Sequence, residues 1–375
     1  MQITVDREIL QSAIDSVNAA VEDSAEDIHS HFLFRVREGK GDILASNGTR
    51  VFAGVLVNDG FECDTDSGMF SVKAWRIRQL LKSMKSEKVT FKVDGFNITV
   101  PDSRGEVTYS SLDPSSFPFW DQQFEDAKLV AKITASRLHA AFGYTKNFIS
   151  DRENQTPALA AMEAREGALW ATDQVAVSMV SVKGMEESGL SIHRNDVGKV
   201  MNFLQANASD EVEVREHDRC TLFVRADGGV LGVTRWQYAF PALKLQKDGP
   251  VKCSFTVDAE ELKRQINFLT SAAKKNDPRI TFKYKQGEDA LILEVASAFA
   301  GKVGRTTLDI TAQDGMGEFP EAGFILNHGY ISKIMTHFGE ESLNMGINWT
   351  NKNGWVVFRH KQEEDDYLTV VVWLK

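Results

Sequence analysis

The 375 residues carry 43 Lys and Arg against 53 Asp and Glu, a formal net charge of −10, with 42% hydrophobic and 26% charged residues. That length outgrows a single hydrophobic core and predicts two or three domains, while the composition excludes extended disorder. The acidic balance argues against a nucleic-acid partner, because phosphate binding needs Lys and Arg. No apolar run reaches the ~20 residues of a transmembrane helix, so no membrane partner is expected. Met1-Gln2-Ile3-Thr4-Val5-Asp6-Arg7-Glu8 lacks the basic-then-apolar build of a signal peptide. Three widely spaced cysteines, Cys63, Cys220 and Cys253, fit a reducing cytoplasm without a disulfide framework or metal knuckle.

The elements follow in order. A strand at Ile3-Thr4-Val5 runs through Asp6 into a helix striped by Leu10, Ile14, Val17 and Val21. Strands are expected at Phe32–Val36 and Val51–Val57. Gly68 then precedes Phe70-Ser71-Val72 and a helix with Ile77, Leu80, Leu81 and Met84, followed by the alternating run Val89–Val93. Phe117-Pro118 and the polar stretch Gln122–Asp126 mark a boundary. The series recurs with Ala131–Thr134 before Leu138, Phe142, Thr145 and Ile149, then strands at Ala168–Thr172 and Cys220–Arg225. Between them Gly189 precedes Leu190-Ser191-Ile192, a helix with Val197, Val200, Met201 and Leu204, and the run Val212–Arg215. Phe240-Pro241 and Leu245–Gly249 mark a second boundary. A third series places Ser254–Asp258 before Leu262, Ile266, Leu269 and Ala273, with Asp258 and Glu261 as a capping box. Asp6 and Thr134 are single caps. It continues with a strand at Ile280–Tyr284, Gly323 before Phe324-Ile325-Leu326, a helix with Ile331, Ile334, Met335 and Phe338, and the run Leu343–Ile347.

Three ordered copies define repeats at 1–124, 125–248 and 249–375. Two helices among about eight short strands in each make the fold class α+β, with helices on one face of an antiparallel sheet.

Catalytic motifs are lacking: there is neither a phosphate-binding Gly-rich loop nor a nucleophile in a recognised setting. Gly301-Lys302-Val303-Gly304 reads as a surface turn, His29 and His31 as a solvated loop, and Glu363-Glu364-Asp365-Asp366 as a hairpin turn. No cofactor or metal is expected, and the chain reads as a non-enzyme. Charge placement says more. Residues 74–88 carry +4, 134–152 carry +2, and 194–206, 258–276 and 328–338 carry +1 each, against −1 for 7–21. Most of the helices are thus basic in an acidic chain, which is a focused electrostatic footprint.

The pattern resembles the bacterial-type DNA polymerase III β sliding clamp over essentially its whole length. The echoes are Thr4-Val5-Asp6-Arg7-Glu8, the Ser71–Met84 segment after Gly68, Leu112 with Phe117-Pro118, Ala171-Thr172-Asp173, Phe240-Pro241, Asn327 with Tyr330, and the closing Tyr367–Leu374. The resemblance implies three clamp domains per chain and a six-domain ring formed by a head-to-tail homodimer. Its helices would line a hole around double-stranded DNA without sequence preference. It also implies a tether for a replicative DNA polymerase, loading by a clamp-loader ATPase and a cytoplasmic location. The phosphate-facing residues would be Arg76, Arg78, Lys82, Lys146, Arg152, Arg194, Lys199, Lys263 and Lys333. Partners would insert a short apolar peptide at Thr172, Val175, Val177, Pro241, Asn327, Tyr330, Val370 and Val372. The subunit edges would lie near Arg104–Leu112 and Ala290–Ser297. The chain departs from the family's usual Gly-His-Arg with Gln174-Val175-Ala176, and from Met-Pro-Met with Val371 at the Pro position. Its Glu22–Glu26 loop has no Arg. A member encoded by a phage or mobile replicon is one reading of these departures. The alternatives are a clamp-fold scaffold that does not encircle DNA and an unrecognised enzyme.

Overall fold

A computed structural model describes residues 1–57, 59–205, 210–241, 251–273, 277–285, 287–296, 303–338, 341–350, 353–362 and 364–373. It divides into two compact units, Met1–His139 with Glu187–Gln237, and Ala140–Glu186 with Tyr238–Lys375. The middle repeat of the sequence contributes to both. The expected boundary stretch Leu245–Gly249 lies outside the described residues.

In the first unit, β1 (Gln2–Asp6), β5 (Phe61–Cys63), β7 (Lys88–Asp94), β8 (Asn97–Asp102) and β9 (Gly105–Ser110) form a sheet in the order β5-β1-β7-β8-β9. An eight-stranded sheet is built from β2 (His31–Arg37), β3 (Lys40–Ser46), β4 (Val51–Val57), β6 (Ser67–Lys73), β10 (Lys128–Thr134), β15 (Glu211–His217), β16 (Cys220–Arg225) and β17 (Val230–Thr234). Its order is β10-β15-β16-β17-β4-β3-β2-β6. The short β14 (Ser191–His193) falls within this unit's residues but is not a strand of that sheet. The helices are α1 (Arg7–Val17), α2 (Ala74–Ser83), α3 (Asp121–Asp126), the start of α4 (Ala135–Thr145) and α5 (Arg194–Gln205). β4 is buried on both faces except at Leu56. Helix α1 packs against it with Leu10, Ile14 and Val17, all fully buried, and Trp120 and Phe124 of the α3 segment cover Phe52 on the other face.

The second unit carries β11 (Ala161–Arg165), β12 (Ala168–Thr172), β13 (Ala176–Ser181), β18 (Cys253–Asp258), β22 (Thr311–Asp314), β24 (Ser342–Trp349), β25 (Gly354–Gln362) and β26 (Asp365–Val372). These run β11-β12-β13-β26-β25-β24-β18-β22. A four-stranded sheet has β21 (Val303–Asp309), β20 (Ala290–Ala296), β19 (Arg279–Lys285) and β23 (Phe324–Asn327) in that order. Helix α6 (Ala259–Ala272) packs on β20 and β21, and α7 (His328–Met335) packs against α6 and β23. The hydrophobic stripes read from the sequence are the buried ones: Leu262, Ile266 and Leu269 on α6, Ile331, Ile334 and Met335 on α7.

Several expectations need correction. α1 ends at Val17 and a single 3₁₀ turn, Asn18–Ala20, follows, so Val21 lies beyond the helix. α2 stops at Ser83 because Met84 is extended. α4 stops at Thr145 before a 3₁₀ turn at Lys146–Phe148. Asp6 sits at the N-cap of α1 without a side-chain cap bond, whereas Asp258 accepts from the Glu261 amide at 2.7 Å. Glu261 turns its own carboxylate to Arg264 and Gln265 instead of completing a box. Gln122–Asp126 is not a polar linker but most of helix α3. His31 is buried, with Nδ1 3.2 Å from both Ser30 Oγ and the Asp27 carbonyl. Val303 and Gly304 start β21 instead of forming a turn; Gly301 and Lys302 lie outside the described residues. The Gln362↔Asp365 register gives the expected hairpin around Glu364, with Glu363 outside the described residues.

His337 sits among Tyr367, Tyr144 and Phe338, with ring centroids 4.8, 5.2 and 5.5 Å away. Burial, helped by neighbouring His360, lowers its pKa to about 4. The folded state therefore binds fewer protons than the unfolded chain between the ordinary value of 6.5 and about 4. Stability is full above that window and falls as pH drops through it, by roughly 2–3 kcal/mol from this ring. Urea unfolding of His337→Phe should lose that part of the slope; an unchanged slope would contradict a neutral buried ring.

Candidate nucleic-acid interface and partner groove

Helix α2 buries Ala74, Ile77, Leu80 and Leu81, which turns Trp75, Arg76 and Lys82 toward solvent. The Arg76 guanidinium lies 5.0 Å from the centroid of the Trp75 ring. It is also near enough to Tyr109 on β9 to oppose the upward push of burial on that phenol. Arg78 is engaged within the chain: it donates to both Asp23 oxygens at 2.7 and 2.8 Å and to Asn18 Oδ1. Asp23 belongs to the Glu22–Glu26 loop noted for its lack of Arg, so this loop supplies a carboxylate that neutralises a cation of α2.

Lys146 is exposed on the 3₁₀ turn after α4, and Arg152 is exposed in the loop beyond it, not on a helix. Arg194 and Lys199 lie on α5, and Lys263 is exposed on α6. Lys333 on α7 is half-buried, with its ammonium 5.1 Å from the Tyr330 ring centroid and 6.0 Å from that of Phe148. Arg152 also acts on Tyr330 through space, so Arg152 and Lys333 meet at Tyr330.

All eight expected groove residues fall in the second unit. β13 pairs β26 with Val177 opposite Val370, and both pack against a cluster of Trp170, Met179, Phe240 and Leu368. Val175 and Val372 are exposed beside them, joined by a Val372 N–H to Val175 carbonyl bond of 3.1 Å. Thr172 is buried, donating to the Ala176 carbonyl at 2.8 Å and accepting from the Gln174 amide at 3.1 Å. Asp173 Oδ1 accepts the amides of Val175 and Ala176, and its Oδ2 accepts the Tyr330 hydroxyl at 2.7 Å. Burial and that carboxylate push the Tyr330 pKa up, so the phenol stays protonated and donating. Asn327 caps α7 through its Oδ1 to the Gly329 amide at 2.8 Å, which fixes where Tyr330 points. The Pro241 carbonyl accepts from Arg165 at 3.4 Å at the other end of the cluster.

These bonds hold the β12–β13 turn so tightly that Gln174 adopts φ 80°, a left-handed conformation unusual for a residue with a Cβ. Gln174→Gly should raise unfolding stability by about 1 kcal/mol. A loss of stability in urea titration would contradict strain at this turn.

Of the several strands that end a sheet, two lie at or beside the stretches that the resemblance named. β9 pairs only β8, and β21 only β20, among the described residues. Within the expected Ala290–Ser297 stretch, β20 is an interior strand paired to β19 and β21, and Ser297 lies outside the described residues. The edge is β21. Its neighbourhood exposes Val303 (60%) and Phe268 on α6 (64%), while Val107 on β9 (42%) and Trp75 on α2 (46%) are exposed in the first unit. Sequence reading passed over these four. Phe268 and Trp75 had a signal, since each is a large apolar residue lying off its helix's buried stripe. Among the described residues no group of three His, Cys, Asp or Glu side chains could hold a metal, and no helix is long and apolar enough to cross a membrane. The Cys220 and Cys253 thiols are buried, with pKa values pushed up to about 11 and 12.

Repeated four-strand half-sheets with helices packed on them define a triplicated clamp-type fold. Solved structures of DNA polymerase III β clamps share it across the whole chain. The subunit from Pseudomonas aeruginosa superposes with a TM-score of 0.82 at 16% identity, covering 100% of both chains. The sliding clamp of Bacillus subtilis gives 0.83 at 14% identity, covering 100% of this chain and 99% of that one. The β subunit of Streptococcus pyogenes gives 0.82 at 14% identity with 100% of both chains covered. No family sequence model and no curated protein sequence matches the chain.

Proposed function

We propose that the chain is a non-catalytic DNA sliding clamp, a ring-shaped homodimer that encircles duplex DNA and tethers a replicative polymerase in the cytoplasm. The observation that carries this reading is how the repeats pair. The half-sheet β10-β15-β16-β17 of the second repeat joins β4-β3-β2-β6 of the first through the pair β17·β4. The third repeat's last strand, β26, joins the second repeat's β13 in the same antiparallel way. The last strand of the first repeat, β9, which is the counterpart of β17 and β26, and the third repeat's β21, the counterpart of β4 and β13, are left without such a partner among the described residues. Pairing β9 of one copy with β21 of another repeats the rule, closes the edges, and covers Val107, Val303, Trp75 and Phe268. Full-length likeness to clamps supports it.

A closed ring cannot leave DNA sideways, so a polymerase held on it stays at high effective concentration near its substrate. Arg76, Lys82, Lys146, Arg152, Arg194, Lys199, Lys263 and Lys333 would supply weak phosphate contacts that permit sliding. Arg78 contributes less because Asp23 already neutralises it. The groove from Thr172 to Val372 would take a short apolar peptide from the polymerase or from the ATPase that loads the ring.

Loaded on nicked circular DNA, the protein should be retained after a high-salt wash and released when the circle is linearised. Release that ignores linearisation would favour a scaffold that binds without encircling. Phe268→Asp should abolish retention while leaving the circular dichroism spectrum intact, and normal retention would place the subunit contact elsewhere. Lys82→Glu should lower the salt-dependence slope of DNA binding by about 1, the share of one phosphate contact. An unaltered slope would remove Lys82 from the interface.

A further inference from the structure

A cavity of about 270 Å³ in the first unit belongs to neither surface described above. Its floor is one face of the eight-stranded sheet. Strand register sets Arg35, Asp42 and Leu56 in one cross-strand row, Leu44, Gly54 and Val230 in the next, and Phe52, Gly232 and Leu222 in the third. The segment Phe117–Glu125 forms the cover. Trp120 stacks on Phe52 at 4.2 Å, Phe124 meets Phe52 edge-on at 5.3 Å, and Phe52 lies flat on Gly232, where any Cβ would collide with it. The hollow opens beside Gly54, which leaves the middle row without a side chain between Leu44 and Val230.

One wall is charged and internally balanced. Arg35 donates to Asp42 at 2.7 and 2.9 Å and to Asp121 at 2.8 and 2.9 Å, and Arg37 reaches Asp42 at 2.9 Å and Asp121 at 3.3 Å. The cations hold the Asp121 carboxyl below its ordinary range, so this wall stays paired at neutral pH. Glu125 adds one carboxylate to the lining. The indole N–H of Trp120 is buried with no acceptor among the described residues.

We propose that this cavity is a second docking site, for a short uncharged apolar peptide segment of a protein partner. The apolar floor takes its side chains. The paired arginines leave no net positive charge and Glu125 is anionic, so an acidic segment is excluded. The volume is at the small end of ligand pockets, which suits side chains and not a nucleotide. The site lies across β4 and β17, the pairing that corresponds to β13 and β26 beneath the peptide groove of the second unit.

The probe is acetyl-photoleucine-phenylalanine-amide, cross-linked by light to the full chain without DNA and mapped by mass spectrometry. Labelling should fall on the peptides holding Phe52–Leu56, Val230 and Phe117–Phe124, and an aspartyl analogue of the probe should label them far less. Gly54→Leu fills the hollow; a Cβ there meets only the flexible Leu44 Cδ2 at 2.9 Å. It should cut labelling about tenfold, a loss of 1.4 kcal/mol. Leu56→Asp, at a half-exposed position, should do the same with the urea midpoint unchanged, which covers the case of a misfolded Gly54 variant. Labelling confined to Val175, Val177 or Val370, or undiminished in both variants, would overturn the proposal. Because no DNA is present, either result leaves the ring reading standing.

Discussion

A β-strand has hydrogen-bonding groups on both sides, and every feature of this chain follows from how its repeats satisfy them. No repeat completes its own sheets. Pairing β17 with β4 and β26 with β13 converts half-sheets of successive repeats into continuous antiparallel ones. Those same two pairings set the floors of both grooves, because the strands that meet carry Val177 and Val370 in one case and Gly54 and Val230 in the other. The rule also leaves one strand of the first repeat and one of the third without a partner among the described residues. An open β9 and an open β21, each beside exposed apolar side chains, are edges that a soluble protein must protect. In the proposed homodimer a second copy would do so with no new type of contact.

The charge of −10 first argued against nucleic acid, and placement reverses that reading. Helices α2, α4, α5 and α7 are net basic within an acidic chain, while α3 is acidic, so in the proposed ring the net figure need not describe the surface that would face DNA. The structure sharpens the set. Arg78 is held by Asp23 and Asn18, Arg152 and Lys333 converge on Tyr330, and Arg76 stands beside the β9 edge. Being basic and on a helix is therefore insufficient to assign a phosphate contact. The partner each cation already has decides how much charge it can offer.

Much of the fold was legible because period-2 and period-3.6 patterns report burial within the chain. Val51–Val57, Ala168–Thr172 and Cys220–Arg225 match their strands residue for residue. The stripes of α6 and α7 are the buried ones. Helix ends were less legible, since Met84 and Ile149 continue the apolar stripe after the backbone has turned extended. The α3 cover escaped notice because its acidic and amide residues look like a linker, while Trp120 and Phe124 do their packing from its edges. The residues expected near Asp173 came from the resemblance, but the Tyr330–Asp173 bond and the left-handed Gln174 depend on contacts that no sequence pattern reports. Exposed Phe268 and Trp75 escaped for a different reason: periodicity identifies what one chain buries, not which large apolar side chains it leaves exposed.

Sedimentation equilibrium of the unmodified protein at micromolar concentration tests the central claim most directly. Edge pairing predicts a single species at twice the 41.8 kDa chain mass, independent of concentration over that range. A species at the single-chain mass throughout would contradict closure of β9 on β21, and with it the ring.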